Sequence, residues 1–192
     1  SEKINEGIRK LYGPGLYQRV LHEIGNIDCV LVYRSWDHGF FPEKDGYSDL
    51  FRGVCYIDNK IIFTLPEHIY ALEQQYGKAI HQLEDFEPIF RDFVKESKSS
   101  RIVGFKCALA YDRTLDYSLY SRDRAESQLH KVLAFRKASW MRGEALTTEE
   151  GADLHNFCMH TMLKVIEEHG MPISFHTGLQ TGGRDDIRYS NP

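Results

Sequence analysis

The sequence predicts an α/β protein with a parallel sheet of about four strands and intervening helices. Three observations predict it: four short apolar runs, helical segments between them, and strand runs that are continuously apolar rather than alternating. In the first segment, Ile4, Ile8 and Leu11 recur at helical spacing until Gly13, Pro14 and Gly15 break the pattern. A second helix is expected over 16–24, capped by Gly25. IDCVLVYRS, over 27–35, is the first strand run, of the kind expected where both sheet faces are covered. A long aromatic loop, WDHGFFPEKDGYSD, leads to the second strand at 53–57, with 61–63 as an extended exit. Phe86, Ile89, Phe90, Phe93 and Val94 mark a helix over 83–94, with Pro88 in its first turn. IVGFKCALAY, over 102–111, is the third strand.

Two further helices are expected, over 121–139 and 149–169. The second has a capping box in Thr147 and Glu150 and an apolar stripe of Leu154, Phe157, Cys158, Thr161, Val165 and Ile166. Gly170 and Pro172 stop it, and MPISFHTG supplies the fourth strand. No repeat, low-complexity tract or composition break divides the chain, so residues 1–192 are expected to form a single domain.

Composition narrows the function classes. With 42% hydrophobic and 27% charged residues the chain is ordinary for a globular domain. The net charge of -4 comes from 28 acidic and 24 basic residues that are well mixed, with no basic block to follow a phosphate backbone, so nucleic acid is not an expected partner. Cys29, Cys55, Cys107 and Cys158 are widely separated, form no CxxC pair and sit in segments that read as buried, which predicts reduced thiols. Apolar stretches fall short of the ~20 residues of a membrane helix. The opening SEKINEGIRK lacks the apolar core of a signal peptide, and a cytoplasmic location is expected.

Candidate chemistry gathers at the strand ends, where parallel α/β folds bring side chains to ligands. His176 follows the apolar run PISF, and a neutral imidazole there suits a divalent metal or, alternatively, a satisfied core position. Lys106, between Phe105 and Cys107, reads as a buried lysine that must find a carboxylate, lose its proton or be modified. Either a catalytic role or a structural ion pair follows. Tyr111 and Arg113 lie just beyond that strand and could hold a substrate carboxylate, Arg113 as a bidentate clamp. Trp36 and His38, with Asp37, occupy the equivalent loop after the first strand and are further substrate-binding candidates, against a plain solvated loop. His155 and His160 are five apart and turn to different helix faces. HExxH, HxH, GxSxG, P-loop and GxGxxG patterns are all absent, which weighs against serine hydrolases, NTPases and dinucleotide-binding oxidoreductases.

At VGFKCALAYDRTL and MPISFHTGLQTGGRDDIRYSNP the chain resembles the amidohydrolase superfamily, in its amidohydrolase-related metal-dependent hydrolase group. The resemblance implies a partial TIM-type (β/α)8 barrel in which His176 matches a strand-end metal ligand and Lys106 falls near another functional strand position. It also implies a divalent cofactor, zinc or manganese, and hydrolysis of an amide, lactone or related bond of a small carboxylate-bearing substrate. The chain departs from that pattern in having no HxH, so it is expected to be an internal fragment lacking the first strand and the last three. Such a piece leaves two sheet edges open, and association into a homo-oligomer or pairing with the rest of the barrel is expected. Two other outcomes stay open: a non-oxidative decarboxylase or uronate-type isomerase on the same barrel, and an inactive barrel piece serving as an association module.

Overall fold

The apolar runs become four parallel strands, paired in the order in which they occur along the chain. In a computed structural model describing residues 2–13, 15–34, 50–135, 145–178 and 186–191, these are β1 (Val30–Arg34), β2 (Phe51–Tyr56), β3 (Ile102–Cys107) and β4 (Ile173–Phe175). Parallel neighbours need crossover connections. Helices α2 (Pro66–Tyr76) and α3 (Phe86–Ser99) lie between β2 and β3, and α4 (Arg122–Phe135) and α5 (Ala152–Glu168) between β3 and β4. Helix α1 (Glu2–Leu11) precedes the sheet.

The core lies between one face of β2 and β3 and the crossover helices. Phe86, Ile89, Phe90, Phe93 and Val94, the predicted stripe of α3, are each 0% exposed. The Phe93 ring meets Phe105 of β3 at 5.5 Å, and Phe63 meets Phe86 at 5.0 Å. From α5 the predicted residues Leu154, Phe157, Cys158, Val165 and Ile166 join the same cluster. Burying each such side chain contributes about 1.5–3 kcal/mol, so the two stripes dominate the adhesion of helices to sheet. Thr161 is the partly exposed member, its hydroxyl donating to the Phe157 carbonyl at 2.9 Å.

Several expectations are corrected. The third strand stops at Cys107, because the Asp58 carboxylate accepts the Ala108 N–H at 2.7 Å and the chain turns into a 3₁₀ turn over Leu109–Tyr111. The segment 61–63 is no strand: a 3₁₀ turn at Asp58–Lys60 ends the ladder. Ile61 and Phe63 are nevertheless 0% exposed, and the backbone N–H of Phe63 finds the His155 Nε2 at 3.1 Å. Helix α2 was not expected, although Pro66 opens it and Gly77, at φ 62°, closes it in the left-handed region. The expected second helix is mostly a π-helix, Gln18–Ile24. Its terminal Gly25 donates to the Val20 carbonyl at 2.9 Å, and a Cβ there would stand 2.8 Å from the Leu21 oxygen, so only glycine fits. The capping box forms as expected, Thr147 N–H to Glu150 at 2.9 Å and Glu150 N–H to Thr147 at 3.1 Å, in the turn before α5.

Burial also departs from expectation at the start of the chain. Ile4, Ile8 and Leu11 of α1 are 64%, 54% and 59% exposed, and Leu31 and Tyr33 of β1 are 59% and 53% exposed. The described residues therefore cover one face of β1 only in part. Cys55, Cys107 and Cys158 are buried as predicted, whereas Cys29 is exposed, and none of the four is joined in a disulfide. No described helix is long and apolar enough to cross a membrane.

Candidate functional site

Side chains alternate across a sheet, so residues on the face opposite the core can be read from the register. Tyr56 of β2 pairs with Lys106 of β3, and Lys106 pairs with Ser174 of β4. Cys55, Phe105 and Cys107, one step out of phase, enter the core. A row of Tyr56, Lys106 and Ser174 thus crosses the face opposite the core near the carboxyl ends of the strands. His176 lies two positions past Ser174, on the same alternation. Its backbone N–H donates to the Cys107 carbonyl at 2.8 Å, which extends the β3–β4 ladder and fixes the residue at the strand end.

Lys106 and its neighbours form an aromatic corner. The Lys106 Nζ lies 5.7 Å from the Tyr33 ring centre, a cation–π distance. The Tyr33 and Tyr56 rings are 5.9 Å apart. Tyr111 stacks on the His176 imidazole with centroids 4.7 Å apart at 35°. Burial, then the charges of Asp58, Tyr33 and Tyr111, raise the Tyr56 phenol, so it remains a hydrogen-bond donor at neutral pH. Asp58, just past β2, is pushed up to about 6 by burial, with Asp112 adding to the effect and the Ala108 N–H and Lys106 opposing it.

The structure brings three of the predicted residues to one end of the sheet: Lys106, Tyr111 and His176. Lys106 is half-buried rather than sealed in the strand. The fully buried lysine is Lys60, 1% exposed, its Nζ 4.9 Å from the Phe93 ring and 3.5 Å from Gln75 Oε1, and burial pushes it down to about 8. Arg113 is placed elsewhere. It is 4% exposed, donates to Asn156 Oδ1 at 2.7 Å and to the Thr114 carbonyl at 3.1 Å, and lies over the Tyr117 ring at 4.7 Å. A bidentate clamp needs its guanidinium edge turned to the ligand; this one ties the exit loop of β3 to α5 instead. Trp36 and His38 fall outside the described residues. His155 is a core histidine, 0% exposed and held neutral by burial at about 3.

Sequence reading missed Tyr33, Tyr56 and Asp58. Counting in twos from Lys106 through the paired strands would have found the tyrosines, but only once the register was known. A structural or catalytic zinc takes three or four protein ligands. Among the described residues no three His, Cys, Asp or Glu side chains are grouped to hold a metal ion. His176 alone does not make a centre, so the described residues do not by themselves fit the expected zinc or manganese.

No family model matches the chain, and no curated protein does. Solved structures do. A uronate isomerase from Thermotoga maritima is 17% identical with a TM-score of 0.58 over 81% of this chain and 34% of its own. A glucuronate isomerase from Caulobacter crescentus is 13% identical with a TM-score of 0.61, over 94% of this chain and 38% of its own. A protein from Lactobacillus casei described as a metal-dependent hydrolase is 19% identical with a TM-score of 0.54, over 94% of this chain and 44% of its own. This chain therefore spans less than half the length of each. At such identities the likeness shows the fold alone, and that fold is part of a TIM-type barrel, four parallel strands with helices between them.

Proposed function

We propose that this chain forms part of the active face of a metal-dependent barrel enzyme acting on a small carboxylate-bearing substrate, by hydrolysis of an amide, lactone or related bond. The observation that carries the reading is the row of Tyr56, Lys106 and Ser174 at the carboxyl end of the sheet, with Tyr111 and His176 just beyond it. A half-buried ammonium over an aromatic ring suits a substrate carboxylate, because the pair forms where water is scarce. The protonated Tyr56 phenol can donate to a developing oxyanion. His176, steadied by the Tyr111 ring, is the residue for a metal ligand or a proton carrier. A metal would need further ligands from outside the described residues.

A second reading has specific support, since two of the similar structures are uronate isomerases. Aldose–ketose isomerisation of a uronate would use Lys106 for the same carboxylate and a strand-end base to move a proton between adjacent carbons. Turnover assays with uronates on one side and carboxylate-bearing amides and lactones on the other, with zinc or manganese added, separate the readings. Activity on one class is expected, with Lys106→Met lowering kcat/KM at least about 100-fold, the loss of a charge-assisted pair of about 3 kcal/mol. Elemental analysis should find less bound metal in His176→Ala than in the parent. Equal metal in both proteins removes the ligand assignment. No turnover of either class favours an association module.

A further inference from the structure

Between the carboxyl-end exits of β2 and β3 lies a cavity of about 210 Å³ lined by Asp58, Asn59, Ile62, His68, Leu109 and Asp112. It uses none of the residues placed in the row above. Three of its polar atoms, Asp58 Oδ2, Asn59 Oδ1 and His68 Nδ1, are buried without a hydrogen-bond partner among the described residues. A buried polar atom left unsatisfied keeps its full desolvation penalty, and native proteins rarely gather several in one place without a ligand or water to serve them. The gathering is held in place. The Ala108 N–H fixes Asp58 Oδ1 at 2.7 Å and so leaves Oδ2 as the free acceptor. His68 stands in the first turn of α2, whose start Pro66 sets.

We propose that this cavity is a binding site for a small organic cation, a primary ammonium on a short carbon chain. The chemistry of the lining selects the class. Asp58 and Asn59 present acceptors, Asp112 adds a second carboxylate, and an imidazole nitrogen can accept as well. An ammonium has three N–H donors and no acceptor, which matches this set. Ile62 and Leu109 offer an apolar wall for the attached carbons. A bare metal ion fits less well, since among the described residues no three His, Cys, Asp or Glu side chains are grouped to hold one. Burial and the neighbouring Asp112 charge hold Asp58 at about 6, and a bound cation relieves both by stabilising the carboxylate.

The test needs no turnover, so it is separate from the reaction proposed above. The 192-residue chain is titrated at pH 7.5 with n-propylammonium, with n-propanol as the neutral isostere and with magnesium or manganese chloride. Nuclear magnetic resonance follows the His68 ring and the Ala108 amide. Saturable shifts with n-propylammonium are expected, at least about tenfold tighter than with n-propanol, the tenfold being the worth of one charge-assisted hydrogen bond over a neutral one. Asp58→Asn and Asp112→Asn are each expected to weaken the amine about tenfold, with folding checked by circular dichroism. A measurement that needs no variant stands beside them: in the unmutated protein the Asp58 carboxyl midpoint should fall when the amine is present. Equal response to propanol, response to the divalent ions alone, or no saturable response to the amine overturns the proposal, as does an Asp58 midpoint that the amine leaves in place.

Discussion

Lys60 shows how a single buried charge is held and what it costs. The ammonium is 1% exposed and has Gln75 and the rings of Phe93 and Tyr76 as neighbours. Its folded value of about 8 lies below the ordinary 10.5, so between those values the unfolded chain holds the proton that the folded one has released. Stability therefore rises with pH through that window, and the full penalty applies below about 8. Lys60→Met is expected to be more stable by about 1–4 kcal/mol at pH 7, with the gain shrinking at pH 10; urea melts at both values check it, and parity at both would contradict this account. His155 acts at the other end of the scale. Burial holds it at about 3 against an ordinary 6.5, so only the unfolded chain takes up a proton as pH falls from 6.5 towards 3. Its contribution is complete above 6.5 and lost below, at up to about 1.4 kcal/mol per pH unit. Asp58, raised to about 6, works in the opposite sense between 6 and 3.8, so the comparison must be with a variant. His155→Gln, which keeps an acceptor for the Phe63 N–H, should flatten the acid limb of stability against pH by about one proton. An unchanged limb removes His155 from the account. In the sequence Lys106 stood out because its neighbours are apolar, whereas Lys60 sits in the polar triplet DNK and looked solvated. Its burial comes from α2 and α3 folding over the turn, which no local pattern records.

Elements built on a repeated apolar stripe were legible, and those ended or buried by single contacts were not. α3 and α5 put large side chains at helical spacing, and the structure buries the residues that spacing selects. α2 buries only Pro66, Ile69, Leu72 and Glu73, too thin a stripe to see, so its evidence in the sequence was the proline at its start and the glycine after it. The short run at 61–63 is apolar and buried like a strand, yet its backbone is satisfied in part by a histidine from α5; a hydrophobic pattern cannot distinguish the two cases. Gly77 provides the test at this scale. At φ 62° an alanine would bear the left-handed strain, although no atom lies within 4 Å of its Cβ. Gly77→Ala should therefore lower stability by about 1–2 kcal/mol through backbone conformation alone. Gly77→Asn, which tolerates that region better, should recover part of the loss. Thermal melts of the three proteins decide it: equal loss for Asn and Ala would point to packing in place of backbone strain.

For the molecule as a whole, most of the large apolar side chains left exposed lie between Ile4 and Tyr33, in α1, the segment after it and β1. β1 pairs only with β2, and β4 only with β3, among the described residues. On β1, Leu31 and Tyr33 are more than half exposed, and α1 shows Ile4, Ile8 and Leu11 to solvent without burying a residue. The strand runs read as doubly covered in the sequence because that is how a barrel strand is composed, and the described part of this chain supplies only part of the cover. Unpaired parallel edges beside apolar side chains favour pairing with another chain. We infer that these edges take up further strands from a second copy of the chain. Sedimentation velocity over a range of concentrations should show the chain associating. Leu31→Lys, placed on an exposed face where it disturbs no core packing, should shift the association midpoint at least about tenfold, because an edge lysine must be desolvated before a new strand can dock. Gln74→Lys, which adds the same charge at an exposed position of α2, is the control for charge alone and should leave association where it was. Association that ignores Leu31→Lys would place the contact away from β1 and leave α1 or β4 as the surface to test, and a chain that sediments as a monomer at every concentration would remove the pairing argument altogether.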